Sequence, residues 1–389
     1  MSAVSVRVID RLQALTANAW NALDAGSNPF ISYEFLHALE ATECLREDWG
    51  WQPQHLTLWE GERLIAAAPG YRKTNSHGEF VFDHGWARAY EQNGLEYYPK
   101  WLCASPYSPV TGPRLLARDA PARQRLLQAI VEHTQQQGYS SAHVNFHTPA
   151  EESAFDAAWL ARIDVQYHWR NLGDWRDFDE FLQAMDHKHR KNIRAERRKL
   201  QQIGVSYRVL HGDEASEADI ARMYGFYLQT FAEYGNSPAL TLEFFMHLAQ
   251  AMPRQLLLVF ADLHGHCVAG ALFLRGGDSL YGRYWGSIAR VPGLHFELCY
   301  YQAIDYCLRE GLARIEPGAQ GEHKLARGFL PQIVHSRHWL ANHAFRAALQ
   351  RWCAQEAAQV RGYAQTLAAH SPFKPDAVIA PDPPLEPSR

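Results

Sequence analysis

Hairpin, helix, strand: this order occurs twice in the 389-residue chain, and the repetition constrains the fold more than any other feature. In the first half, HLTLWEGERLIAAAPGYRK (55–73) reads as two strands joined by a tight acidic-Gly turn. The amphipathic stretch RQRLLQAIVEHTQQQG (123–138), stopped by Gly138, and the strand YSSAHVNFH come next. In the second half, LLLVFADLHGHCVAGALFLRGG (256–277) supplies the hairpin, with its turn between Asp262 and Gly265. FELCYYQAIDYCLREG (296–311) then supplies the helix, stopped by Gly311, and LARIEPGA the strand. Both helices contain Gln-Ala-Ile, at 128–130 and 302–304. The repeated order predicts a duplicated α/β unit, each copy a twisted mixed sheet flanked by helices. Residues 74–113, rich in aromatics, Gly and Pro, have no short counterpart and read as an elaborated strand-loop region.

Length alone predicts two or three domains; the repetition selects two, at 1–172 and 173–370. The segment SPFKPDAVIAPDPPLEPSR (371–389) is too rich in proline for helix or sheet and reads as a flexible tail outside both. Lys plus Arg number 38 against 42 Asp plus Glu, a net charge of −4, so any polyanion site must be a local patch. No apolar run is long enough for a signal peptide or a membrane span, and the six cysteines form no CxxC pair. These features predict a cytoplasmic protein with reduced thiols.

The local patch lies between the halves, in DFDEFLQAMDHKHRKNIRAERRKLQQIG (177–204). Asp177 with Glu180 gives a helix start and Gly204 a stop, so one helix is predicted. Phe178, Leu182, Met185, Ile193, Leu200 and Ile203 form its buried stripe. Lys188, Arg190, Lys191, Arg194, Arg197, Arg198 and Lys199 stand against Glu196 on the other faces. Such a helix either grips phosphates or is a solvated face balanced by Asp174, Asp177, Asp179, Glu180 and Asp186.

A second constellation is EPGAQGEHKLARGFLP (316–331). Glu316 ends a predicted strand; Gln320, Glu322, His323, Lys324 and Arg327 crowd a Gly-rich loop after it, where α/β folds place sites. Glu322 or His323 reads as general base, and Lys324 and Arg327 as stabilisers of developing negative charge. A third lies in SLYGRYWGSIARVPGLHFE (279–297): strand alternation puts Tyr281, Arg283 and Trp285 on one face and Tyr284 on the other. Tyr281, Tyr284 and Trp285 are the expected walls of a substrate pocket, with Gln320 and Glu316. Arg290 and Gly293 lead into a helix start that can hold phosphate. There is no HExxH or three-ligand spacing, and no GxSxG, GxxxxGK[ST] or GxGxxG, so no metal site is predicted.

These residues resemble the FemAB-like predicted N-acyltransferases, relatives of the Fem peptidoglycan aminoacyltransferases. The resemblance rests on KHRKNIRAERRKLQQIGV (188–205), FYLQTFAEYGN, the hairpin VFADLHGHCVAGALFL and NPFISYEFLHALE (28–40). It rests most on the run from HFELCYYQAIDYCLREGL to EPGAQGEHKLARGFLP. It covers most of 1–365 and implies two tandem domains of the GCN5-related N-acetyltransferase (GNAT) fold, the second holding the reaction centre. It implies transfer of an acyl or aminoacyl group to a small-molecule or peptide amine, with no metal, no covalent intermediate and no tightly bound cofactor. Acyl-CoA and aminoacyl-tRNA both remain as donor. The acyl-CoA loop pattern [QR]-x-x-G-x-[GA] appears as Arg290-x-x-Gly293-x-His295, which departs at its last position. Arg190, Arg194 and Arg197 fit contacts to donor phosphates, tRNA among them; DNA is not an expected partner. The alternative is a non-catalytic GNAT scaffold that binds tRNA or another polyanion.

Overall fold

Both predicted hairpins form, and the turn of the second shows why glycine is there. His264 and Gly265 take φ of 52° and 80°, the left-handed pair that matches the twist of the flanking strands. The structure, a computed structural model, describes residues 4–23, 28–318, 321–375 and 377. Its strands are β1 (Val4–Ile9), β2 (Trp51–Pro53), β3 (His55–Glu60), β4 (Arg63–Ala68), β5 (Gly70–Lys73), β6 (Lys100–Cys103), β7 (Leu116–Ala117) and β8 (Ser141–His147). They continue with β9 (Leu160–Arg170), β10 (Val205–His211), β11 (Leu256–Leu263), β12 (His266–Gly276), β13 (Ser279–Ser287), β14 (Arg314–Glu316) and β15 (Leu330–Leu340). Four of these form a sheet ordered β1-β3-β4-β7. The other eleven run β10-β11-β12-β13-β14-β9-β15-β8-β6-β5-β2.

The duplication is visible in the pairing. In the second half β10, β11, β12 and β13 are antiparallel neighbours, and β13 then pairs parallel with β14. In the first half β1, β3 and β4 are antiparallel, β5 pairs antiparallel with β6, and β6 pairs parallel with β8. Each parallel pair is bridged by one of the two echoed helices, since parallel strands need a crossover. The copies differ at Pro69. The strand expected across 63–73 breaks there into β4 and β5, because proline offers no N–H to a ladder, and its two pieces enter different sheets. The units also exchange strands: β9 follows β8 in the chain yet pairs with β14, while β15 follows β14 yet pairs with β8. β9 and β15 pair with each other over nine positions, which makes the sheet continuous.

Helix packing fixes the faces. The helix Glu217–Glu233 sits on one face of β12 and β13 through Ile220, Met223 and Phe226. A Cβ at Gly286 would collide with the Phe226 carbonyl, so glycine sets that close approach. Leu294–Phe296, Glu297–Tyr301 and Gln302–Glu310 form one continuous helix on the other face, the middle five residues in a π turn. From the first half, the helix Tyr33–Ala41 packs onto Leu242–Ala251, with Phe35 and Phe244 edge-to-face at 5.7 Å.

Three expectations are corrected. The helix predicted over 177–204 is two, Phe178–Ala184 and His187–Gln202, parted at an extended Met185. Asp186 caps the second by accepting from the His189 N–H, and that local bond competes with helix continuation. The chain's C-terminal segment fills the break: Asp186 donates its N–H to the Pro372 carbonyl at 2.9 Å and Lys374 to that of Ala184 at 3.0 Å. Phe373 is thereby buried, stacked on Trp175 at 5.4 Å. So 371–375, expected in a flexible tail, are packed, because one aromatic outweighs the local proline content; the rest of that segment, Ala377 aside, lies outside the described residues. Ile203, assigned to the buried stripe, is 46% exposed.

Candidate functional site

β13 and β14 pair at three positions, Ser279–Arg314, Leu280–Ile315 and Tyr281–Glu316, and then part. The parting leaves a notch at the carboxyl ends of parallel strands, where unpaired backbone groups and polar side chains meet a ligand. Glu316 stands at its apex. It is 3% exposed and accepts the Thr111 N–H at 3.2 Å. Burial pushes its carboxyl up to about 7, against the pull of Arg314, the Thr111 N–H, Arg114 and Arg170. A carboxylate held there exchanges a proton at neutral pH.

The wall opposite comes from the first half. The loop between β6 and β7 puts the Tyr107 carbonyl 2.6 Å from an Arg283 guanidinium nitrogen, and the Pro109 carbonyl 2.9 Å from Gln166 Nε2. Asn28 Nδ2 donates to the Thr111 carbonyl at 3.0 Å and lies 3.5 Å from the Tyr281 hydroxyl. Tyr281 packs edge-on to Phe30 at 5.2 Å, and burial raises its hydroxyl well out of the ionising range. His168 on β9 is buried and held neutral, pushed down to about 3.

The strand faces differ from the alternation expected for β13. A bulge shifts its register so that Leu272 faces Tyr284 while Phe273 faces Gly282. The extra residue turns Tyr281 and Tyr284 to the same face, towards Phe30 and Tyr227, at 5.2 and 4.8 Å. Trp285 lies on the other face, 4.8 Å from the His295 ring. Of the three aromatics expected in one pocket, Tyr281 alone borders Glu316 along the strand pair.

The short helix Glu322–Arg327 follows β14 and is tied back to its end. Lys324 Nζ donates to the Gly318 carbonyl at 2.7 Å, and burial brings its ammonium down to about 8. Arg327 donates to the His323 carbonyl at 2.9 Å and to Glu196 at 2.8 Å, with its guanidinium 3.4 Å over Phe296. His323 Nε2 meets the Tyr300 hydroxyl at 2.9 Å. Glu322 points outward and accepts from the Tyr363 hydroxyl at 2.5 Å. Gln320 lies outside the described residues.

The basic helix divides in the same way. Arg197 is committed inward, to Glu297 at 3.2 Å and Asp305 at 2.7 Å, and stacks on Phe178 at 4.4 Å. Arg194 pairs with Asp179 at 3.3 Å on the surface, and Arg190 reaches the Met185 carbonyl at 3.5 Å. Lys188, Lys191, Arg198, Lys199 and the more distant Arg290 are exposed. Gly293 opens the long helix with φ of 87°, and a Cβ there would meet nothing within 4 Å. Asn28, Tyr107, Thr111 and Gln166 were missed by sequence reading; the cluster PYSPVTGP (106–113) in an otherwise unexplained aromatic region is the signal that points to Tyr107 and Thr111.

The sequence profile of the FemAB-like family, described as peptidoglycan biosynthesis/recognition, matches residues 11–375. The chain belongs to the FemAB-like family. With that membership it is an acyltransferase, built on a duplicated mixed α/β sheet. Among solved structures, this FemAB-like chain is similar to FemX, with a TM-score of 0.52 at 10% identity, covering 86% of this chain and 98% of that one. It is also similar to L-PGS from Bacillus licheniformis, with a TM-score of 0.51 at 8% identity, covering 84% and 97%. No curated protein matches it. No helix among the described residues of the FemAB-like chain is long and apolar enough to cross a membrane.

Proposed function

We propose that the protein is an N-acyltransferase that moves an acyl or aminoacyl group from acyl-CoA or aminoacyl-tRNA to the amine of a small molecule or peptide, with peptidoglycan precursors the foremost acceptor class. The observation that carries this is Glu316, a buried carboxylate poised near neutrality at the parting of two parallel strands. An ammonium entering the notch gives its proton to Glu316, and the free amine attacks the donor carbonyl. The tetrahedral oxyanion forms beside the Lys324 ammonium; its collapse forms the amide and expels the thiolate or ribose oxygen, which takes up the second proton lost by the attacking nitrogen. Holding both partners in line supplies several kcal/mol of the barrier reduction, with no metal or covalent intermediate required. Glu316 thus takes the role first assigned to Glu322 or His323, because those side chains are tied to Tyr363 and Tyr300.

Phosphates of the donor meet Lys188, Lys191, Arg198, Lys199 and Arg290, which are exposed, rather than Arg197, which is paired within the fold. This reading places the protein in the cytoplasm, where both donors are made. The test is incubation of the purified chain with acetyl-CoA or with mixed aminoacyl-tRNA, plus a lysine-bearing muropeptide, read by mass spectrometry. A mass gain on the amine that disappears in Glu316→Gln is expected. Binding of tRNA that weakens steeply with salt, without transfer from either donor, would instead establish the non-catalytic polyanion module.

A further inference from the structure

The first unit contains the counterpart of the notch, and it is filled. β6 and β8 pair at Trp101–Ala142, Leu102–His143 and Cys103–Val144 and then part, as β13 and β14 do. Arg114 occupies the gap. It is fully buried, its Nε donates at 2.9 Å to the carbonyl of Asn145, the first residue past the last pair, and its other nitrogens donate to the Val110 carbonyl at 2.6 Å and that of Pro113 at 3.2 Å. Glu151 fixes the same stretch by accepting the N–H groups of Arg114 at 2.8 Å and Leu115 at 2.6 Å. Gly112 adds a bond from its N–H to the Phe146 carbonyl at 3.1 Å. Between these anchors lies Thr111, whose N–H is on Glu316.

We infer that Arg114 is a positioning residue for Glu316: it plugs the empty notch of the first unit and holds the loop 107–113 as a wall of the second unit's site. A guanidinium suits the place because its planar fork bonds three diverging carbonyls at once, Asn145 on the parted strand β8 and Val110 and Pro113 in the loop that crosses the gap. Its charge also helps keep the buried Glu316 ionised, together with Arg314 on β14 and Arg170 on β9. Of the other titratable groups at the notch, Tyr281 on β13 and His168 on β9 are neutral, and the Lys324 ammonium, on the segment after β14, is bonded to the Gly318 carbonyl. Loosening the loop therefore removes both the Thr111 donor and a nearby positive charge, and each loss favours the protonated carboxyl.

The inference rests on the acyl-transfer reading for its meaning, and its test needs no substrate. The full chain, carrying glutamate labelled with 13C at the carboxyl, is titrated by NMR, and the Glu316 resonance is assigned as the one absent in Glu316→Gln. In Arg114→Met its midpoint moves up by about one pH unit, and Arg114→Lys, which keeps the charge and loses the fork, falls between. Gly112→Ala provides a milder variant, since the added methyl would press on Asn28 Nδ2 and lie 3.0 Å from an Arg114 nitrogen; it shifts the midpoint the same way. If Arg114→Met does not fold, Gly112→Ala decides. An unchanged midpoint in the folded variants overturns the inference, whatever the activity assays return. A shifted midpoint without any acyl transfer sustains it and overturns the activity instead.

Discussion

Glu316 is held between two opposed effects: burial disfavours its charge, while Arg314 and the Thr111 N–H favour it. The balance sets both activity and stability. Turnover needs the ionised form, so kcat/KM should rise with pH through about 7, and Glu316→Gln should lose the ascending limb and roughly 10²–10⁴-fold in rate. The stability effect has the opposite sign. A carboxyl whose folded pKa is raised stabilises the fold fully below its unfolded value of 4.5, and that contribution is lost as pH rises through about 7. Glu316→Gln is therefore expected to be more stable than the parent at pH 8, by up to on the order of 3 kcal/mol, in chemical denaturation; equal or lower stability would contradict the assignment. At this scale Glu316 was legible in the sequence, because a polar residue closing a strand before Pro-Gly marks a strand's carboxyl end. Thr111 was not, because it is 205 positions away and contributes its backbone, which no side chain advertises.

Among the elements, those specified by local chemistry formed as read. The cap Asp177, the closing Gly138 and Gly311 and the turn at His264–Gly265 act over a few residues. The elements that departed were decided by distant partners. The break at Met185 is held by Pro372 and Phe373, and the bulge in β13 lets Tyr281 and Tyr284 share the face that the helix Glu217–Glu233 covers. Two substitutions test this. Asp186→Ala removes the cap at the break and is expected to cost about 1 kcal/mol, measured as a fall in the denaturant midpoint. Gly286→Ala drives a methyl into the backbone of that helix and is expected to cost at least 1–3 kcal/mol. A Gly286→Ala protein as stable as the parent would show that the helix does not sit so close.

For the whole molecule, the exchange of β9 and β15 ties the halves into one sheet, so neither half holds its complete strand set. Fragments cut near 172 are expected to be insoluble alone and to form a soluble one-to-one complex when co-expressed, as seen by size-exclusion chromatography; two separately folded, soluble fragments would contradict this. Phe373→Ala is expected to cost about 3–5 kcal/mol, because the ring fills the gap between Trp175 and Phe181. By itself the sequence determined the duplicated α/β plan, the basic helix and a polar loop after β14, all features written in short-range periodicity, caps and turns. Tertiary structure alone decided that the two copies trade strands and that the first copy's notch is plugged by Arg114. It also decided which cations are tied inward and which face solvent, and that a backbone N–H from one half meets the carboxylate of the other. Those outcomes depend on which buried polar groups find partners once the chain is assembled, and burial is a property of the assembled chain that no local pattern encodes.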